Sequence, residues 1–193
     1  MKKFVEVFDK VRKNEIVCLC SLIAALMYGM FYLDIMNPLE YSLSEIGRFN
    51  STLFIIWCLV SGFALFFNVN RLYERLNYKS KAGSTLLYTG LFFLVLTFLN
   101  MKKIPEIWYW IHVSTAILFS ILCFASIVFP LLYMFKKNVK YRILSSIFFA
   151  LVAADIILLA IFKQMALYEF IPLILGYIVM FLINYTDTFK IKE

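Results

Sequence analysis

Two ionisable side chains stand alone inside long apolar runs. Asp155 occupies Ala153-Ala154-Asp155-Ile156-Ile157, and His112, the only histidine in the chain, follows Trp108-Tyr109-Trp110-Ile111. Ionisable groups are costly in hydrocarbon, so each needs a partner or a purpose. A carboxylate beside an imidazole can form an ion pair, bind a proton or a cation, or act as general acid and base, because each moves the other's pKa. The plainer alternative is a hydrogen bond between helices, which membrane bundles use widely. At 1.5 Å per residue, Asp155 lies about 12 Å from Lys163 and about 20 Å from Arg142, and His112 about 9 Å past Glu106. The two therefore sit at comparable depth. On a helical wheel His112, Ala116, Ser120 and Cys123 share a small, mildly polar face suited to close helix contact, so the histidine is expected to face protein.

A second group of polar residues fills the segment from Asp34 to Asn50. Asn37-Pro38 reads as a turn, and Ser42-Leu43-Ser44-Glu45 fits a capping box, with Ser42 closing helix amides and Glu45 reaching back. Gly47 permits a bend. Arg48, flanked by Glu45, Asn50 and Ser51, has the chemistry to bind a phosphate or carboxylate. It can equally make a local i, i+3 pair with Glu45, worth only tenths of a kcal/mol.

Other chemistries find no support. The chain has no Walker loop, no G-x-S-x-G, no H-E-x-x-H and no paired-carboxylate motif. Cys18, Cys20, Cys58 and Cys123 lie inside apolar runs and lack the spacing of a disulfide framework or zinc site. No metal site and no cofactor is expected.

The elements that must position these residues are membrane helices. Of 193 residues, 63% are hydrophobic and 16% charged, against about a quarter charged in a soluble domain. Apolar runs long enough for a core of roughly 30 Å cover about 16–33, 52–69, 84–99, 107–135, 143–162 and 170–185. This is an all-α, polytopic bundle of six transmembrane helices, read as one integral membrane domain over 1–193. The third and sixth runs are short, and the fourth is long enough to tilt, protrude or bend at Pro130. Basic residues precede the first run, but that run exceeds the roughly 7–15 residues of a signal h-region and no small-x-small site follows it.

Orientation follows from Lys and Arg in the connections. Lys2, Lys3, Lys10, Arg12, Lys13, Arg71, Arg75, Lys79, Lys81, Lys136, Lys137, Lys140, Arg142, Lys190 and Lys192 fall on one side. Only Arg48, Lys102, Lys103 and Lys163 fall on the other. Both termini are thus expected in the cytoplasm, in a multi-pass protein of the cell membrane, with Asp34–Asn50, His112 and Asp155 toward the outer face. The net charge of +7 is spread over short segments, which fits topology and anionic lipids rather than a nucleic acid. Trp108, Tyr109 and Trp110 read as an interfacial belt rather than a ligand cage. Asn68, Asn70 and Arg71, with Asn184, Tyr185 and Asp187, read as interface caps and snorkelling groups at the basic end.

Asn37-Pro38 through Ser42-Leu43-Ser44-Glu45-Ile46-Gly47-Arg48, with the later His112-x-x-x-Ala116-x-x-Phe119, resembles the bacterial membrane family called domain of unknown function 998. Its layout is similar to the DRAM/Frag/Sfk group, whose first outer loop carries a segment like Leu43-Ser44-Glu45-Ile46-Gly47. The resemblance implies six helices and, from the wider group, a role in lipid remodelling or organisation. It supplies no catalytic residue, and this chain lacks the Pro-Pro-Glu-like continuation after Gly47.

Three functions are therefore open. Glu45, Arg48, His112 and Asp155 can line an outer-half cavity that recognises a lipid headgroup or small polar solute. His112 or Asp155 can serve as general base in a membrane-embedded lipid hydrolase or transferase. Or the chain is a small transporter's substrate-binding component, since Ala25-x-x-x-Gly29 resembles the small-residue contact that energy-coupling-factor transporters use.

Overall fold

The computed structural model describes residues 10–99, 106–162 and 165–189. It contains α1 (Glu15–Leu33), α2 (Leu43–Phe49), α3 (Ser51–Arg75), α4 (Lys81–Leu99), α5 (Glu106–Phe135), α6 (Val139–Phe162) and α7 (Ala166–Tyr185), closed by a 3₁₀ turn at Asp187–Phe189. Six of these helices are long and apolar enough to cross a membrane. The short α2 packs against the ends of α3 and α7 at the loop end of the bundle, opposite the terminal end where Glu15 and Tyr185 lie.

Helix starts follow local side-chain chemistry. The Asn14 side-chain oxygen accepts from the amides of Ile16 and Val17, and that of Asn50 from Leu53, satisfying donors that a helix leaves open. α3 stops at a Schellman turn in which Asn77 takes φ 49°, Tyr78 N–H donates to Tyr73 O at 2.8 Å and Asn77 N–H to Glu74 O at 3.1 Å. Most helices run past the apolar cores that mark them. α3 continues through Arg75, α4 begins at Lys81, α6 at Val139 and α7 at Ala166. The third and sixth spans are consequently full-length helices of 19 and 20 residues rather than short ones.

α3 is the central helix, packed against α1, α2, α4, α5 and α7, while α6 lies at the edge between α5 and α7. Two interior clusters result. One, toward the termini, gathers Leu65, Val69, Leu72, Phe148 and Tyr177; the other, toward the loop end, gathers Tyr32, Ile46, Phe54, Trp57 and Phe170. Met27, Phe63, Ile121, Ile156 and Ile161 are exposed, forming an apolar perimeter of the kind lipid solvates.

Close approach depends on small residues at two places. A Cβ on Gly90 would lie 2.7 Å from Cys123 Sγ and 3.2 Å from its backbone nitrogen, so α4 and α5 come together there. A Cβ on Gly29 would collide with the Phe170 ring, and Ala25 is fully buried. The Gly29 end of the Ala25-x-x-x-Gly29 face is therefore covered by this chain's own α7.

α5 passes through Pro130 without a break. Proline has no amide proton, so the carbonyl of Ser126, four residues earlier, loses its helix donor. Tyr73 supplies a replacement, its hydroxyl donating to Ser126 O at 2.8 Å.

At the terminal end the polar residues do more than cap and snorkel. Asn68 is fully buried; its amide lies within hydrogen-bonding distance of Cys18 O and Ala64 O, and its side-chain oxygen accepts from Tyr185 OH at 2.7 Å. Asn184, also fully buried, donates to Asn68 O at 3.0 Å. These bonds join α1, α3 and α7, the use of polar residues expected where water is excluded. Arg71 pairs with Glu15 at 2.9 Å, and Arg75 donates to Thr186 O. Of the basic residues that orient the chain, Lys2, Lys3, Lys102, Lys103, Lys163, Lys190 and Lys192 lie outside the described residues.

Candidate functional site

The site is built on α2. The predicted capping box forms as drawn: Ser42 Oγ accepts from Glu45 N–H at 3.2 Å, and Glu45 Oε2 accepts from Ser42 N–H at 2.8 Å. Two further clamps come from elsewhere. Glu169 on α7 accepts from Leu43 N–H at 2.8 Å, and the buried Tyr32 hydroxyl on α1 donates to Leu43 O at 3.0 Å. Backbone bonds from Ala166 N–H to Tyr41 O and Leu167 N–H to Pro38 O tie the preceding turn to α7. Ile46, with no exposed surface, anchors the helix in the loop-end core.

So held, α2 presents Ser44 to His112. Ser44 Oγ lies 2.9 Å from His112 Nε2, and His112 Nδ1 lies 3.0 Å from Thr97 O. A carbonyl only accepts, so Nδ1 must carry a proton. In the neutral ring Nε2 is then the basic nitrogen, and the Ser44 hydroxyl donates to it. Thr97 sits in the last turn of α4, where carbonyls lack helix donors. Thr115, one turn along α5, donates to His112 O at 2.9 Å and lies 3.1 Å from Thr97 Oγ1. The imidazole is thus fixed at both nitrogens and buried to 3% exposure.

Arg48 follows Ser44 by one turn of α2. Its guanidinium is half exposed, 3.9 Å from Glu45 and 6.0 Å from the centre of the Tyr109 ring. Both the ion pair and the ring contact are long, so neither holds the cation firmly. Glu45 is held below the usual carboxylate range, first by the Ser42 amide, then by the Ser42 hydroxyl and Arg48. Trp108 and Trp110 are exposed beside Tyr109.

Glu45, Arg48 and His112 therefore meet at the loop end, and Asp155 does not join them. Asp155 ends the buried stripe Tyr141, Ser145, Phe148, Val152, Asp155 of α6. It is 2% exposed, with neither carboxylate oxygen hydrogen-bonded. His112 has both nitrogens engaged by Ser44 and Thr97, so the expected carboxylate–imidazole contact is not made. The small face drawn for His112 is also displaced: Ser120 is exposed, and Thr115, Cys123 and Ser126 line the buried side. Ser44, Thr97 and Glu169 complete the site and were not singled out by spacing or charge.

A groove of about 700 Å³ opens at the terminal end, lined by Arg12, Glu74, Tyr78, Lys79 and Lys81 among others. Arg12 there lies 3.6 Å from Glu74. Among the described residues no cluster of three His, Cys, Asp or Glu has the geometry to hold a metal ion.

No protein-family model matches the chain, and neither a curated protein nor a solved structure does.

Proposed function

We propose that this integral membrane protein recognises the phosphate-bearing headgroup of a lipid at its loop end. The observation that carries the reading is Arg48. It is a half-exposed guanidinium with only long contacts, standing on a helix that Glu169, Tyr32 and His112 hold in place. An arginine presents paired donors that match phosphate oxygens. The exposed Trp108 and Trp110 mark the same level as an interface, where headgroups lie.

The excess of Lys and Arg at the terminal end supports an orientation with both termini in the cytoplasm of a cell membrane and the site on the outer leaflet. The resemblance of Leu43–Gly47 to the DRAM/Frag/Sfk loop supports the same class of ligand. The reading uses Glu45, Arg48 and His112 and leaves Asp155 outside the site. Glu45 holds Arg48 loosely, and His112 holds α2 against α5.

Native mass spectrometry of the purified protein with phosphatidylglycerol, phosphatidylcholine and diacylglycerol tests it. The two phosphate-bearing lipids should remain bound and diacylglycerol should not, with Arg48→Ala losing the difference. Equal retention of all three lipids, or an unchanged pattern in Arg48→Ala, would overturn it.

A further inference from the structure

The contact between Ser44 and His112 does more than attach α2, because α2 is already secured by Glu169, Tyr32, the capping box and Ile46. Its parts are those of an activated hydroxyl: an oxygen 2.9 Å from a ring nitrogen, and the opposite nitrogen 3.0 Å from a fixed acceptor. The Thr97 carbonyl dictates the tautomer, so the nitrogen facing Ser44 is the basic one. That is the logic by which a base, oriented by a third group, activates a nucleophile.

The pairing of α2 with α5 adds a direction. Ser44 faces His112, and Arg48 lies over Tyr109, three residues nearer the loop end of α5. The cation is therefore set about 4.5 Å shallower than the hydroxyl along that axis. A glycerophospholipid has the same order, with its phosphate nearer water and its acyl ester carbonyls beneath. Ser44 is only partly buried, and Phe49 on the same helix, with Trp108 and Ile111 in the first turns of α5, is exposed to surrounding lipid.

We infer that Ser44 is a nucleophile for acyl transfer from a glycerophospholipid, with His112 as its general base and Arg48 holding the phosphate. The last role rests on the headgroup reading above. Ser44 Oγ forms a bond to the ester carbonyl carbon as its proton passes to His112 Nε2, and the carbonyl π pair moves onto oxygen. The intermediate collapses by breaking the bond to the glycerol oxygen, which takes the proton from His112. Acyl-Ser44 is then attacked by water or a lipid hydroxyl, which gives its proton to His112. His112 returns that proton to the departing Ser44 oxygen, releasing a fatty acid or a newly acylated lipid.

The test uses the full chain in lipid nanodiscs containing a phosphatidylcholine with a fluorogenic acyl ester, and separately an alkyl fluorophosphonate as covalent probe. The wild-type protein should release the acyl group and carry the phosphonyl label on Ser44. Ser44→Ala should fall to background, and His112→Gln should lower the rate by roughly 10²–10⁴-fold, the range for a general base. The wild-type rate should rise with pH through the imidazole titration, and His112→Gln should abolish that rise. Absence of both turnover and label in the wild-type protein, or full turnover in Ser44→Ala, would overturn the inference.

The two readings fail separately. If phospholipid stays bound to a wild-type protein that neither turns over nor labels, headgroup recognition stands and the chemistry falls. If Ser44 labels but Arg48→Ala binds lipid normally, the chemistry stands and the role of Arg48 falls.

Discussion

Ser44 and His112 meet at 2.9 Å although 68 residues separate them, and the opposite nitrogen of the same ring meets Thr97 O at 3.0 Å. One imidazole thereby joins α2, α4 and α5 at the loop end. The neutral ring is fixed as the Nδ1–H tautomer, since Thr97 offers only an acceptor. Because the chain has one histidine, ¹⁵N-labelled imidazole NMR can read it without assignment. A protonated Nδ1 with an unprotonated Nε2 is expected at neutral pH, and the Nε2 resonance should shift in Ser44→Ala. The Nε2–H tautomer would contradict this geometry.

Tyr73 and Pro130 form a matched pair through Ser126 O. Tyr73→Phe should destabilise by about 1–3 kcal/mol, the cost of leaving a buried acceptor unsatisfied. Pro130→Ala restores an amide at position 130, so Tyr73→Phe should cost much less in that background. Thermal unfolding of the four proteins in detergent gives the coupling. Strict additivity would mean that the tyrosine does not replace the missing helix bond.

Asp155 is buried with neither oxygen partnered. An apolar side chain of similar volume removes that desolvation cost, so Asp155→Leu should stabilise the protein by about 1–3 kcal/mol. Thermal unfolding in detergent measures it. A loss of stability would show that the carboxyl has a stabilising partner.

Glu45 is depressed in the folded protein, chiefly by the Ser42 amide. Its folded form releases a proton more readily than the unfolded chain, so its contribution is complete above the unfolded carboxylate value of about 4.3 and declines as pH falls below it. Hydrogen exchange of the α2 amides, after correction for intrinsic rates, should lose protection in acid as Glu45 takes up its proton. Glu45→Gln should remove that added acid sensitivity. Protection already lost near pH 6 would assign the effect to another group.

The six spans were legible because hydropathy over about 20 residues is a bulk property that neighbouring helices barely alter. Ser42 and Glu45 were legible because a capping box is local. His112 facing protein followed from helical period, although the face was displaced once Thr115 took the buried position of Ser120. Ser44 was not separable from the other polar residues of its segment, because its partner lies beyond two intervening spans. Glu169 was hidden for a related reason: it stands just before the apolar run beginning at Phe170, where an acid reads as a first-turn residue. Asn68 and Asn184 read as caps because they occur near run ends, while α3 continues to Arg75 and packs the two against each other. The comparable depth of Asp155 and His112 said nothing about which way each helix turns its side chain. In the folded bundle both ring nitrogens already have partners, so no contact joins them.

In the proposed function a phospholipid sits over α2 and the first turns of α5. Photo-crosslinking in nanodiscs with a phosphatidylcholine carrying a diazirine on its headgroup, followed by peptide mapping, tests that most directly. Label is predicted within residues 43–49 and 107–112, lost in Arg48→Ala. Label confined to the groove near Arg12, Lys79 and Lys81 at the opposite end, with none on α2, would contradict it.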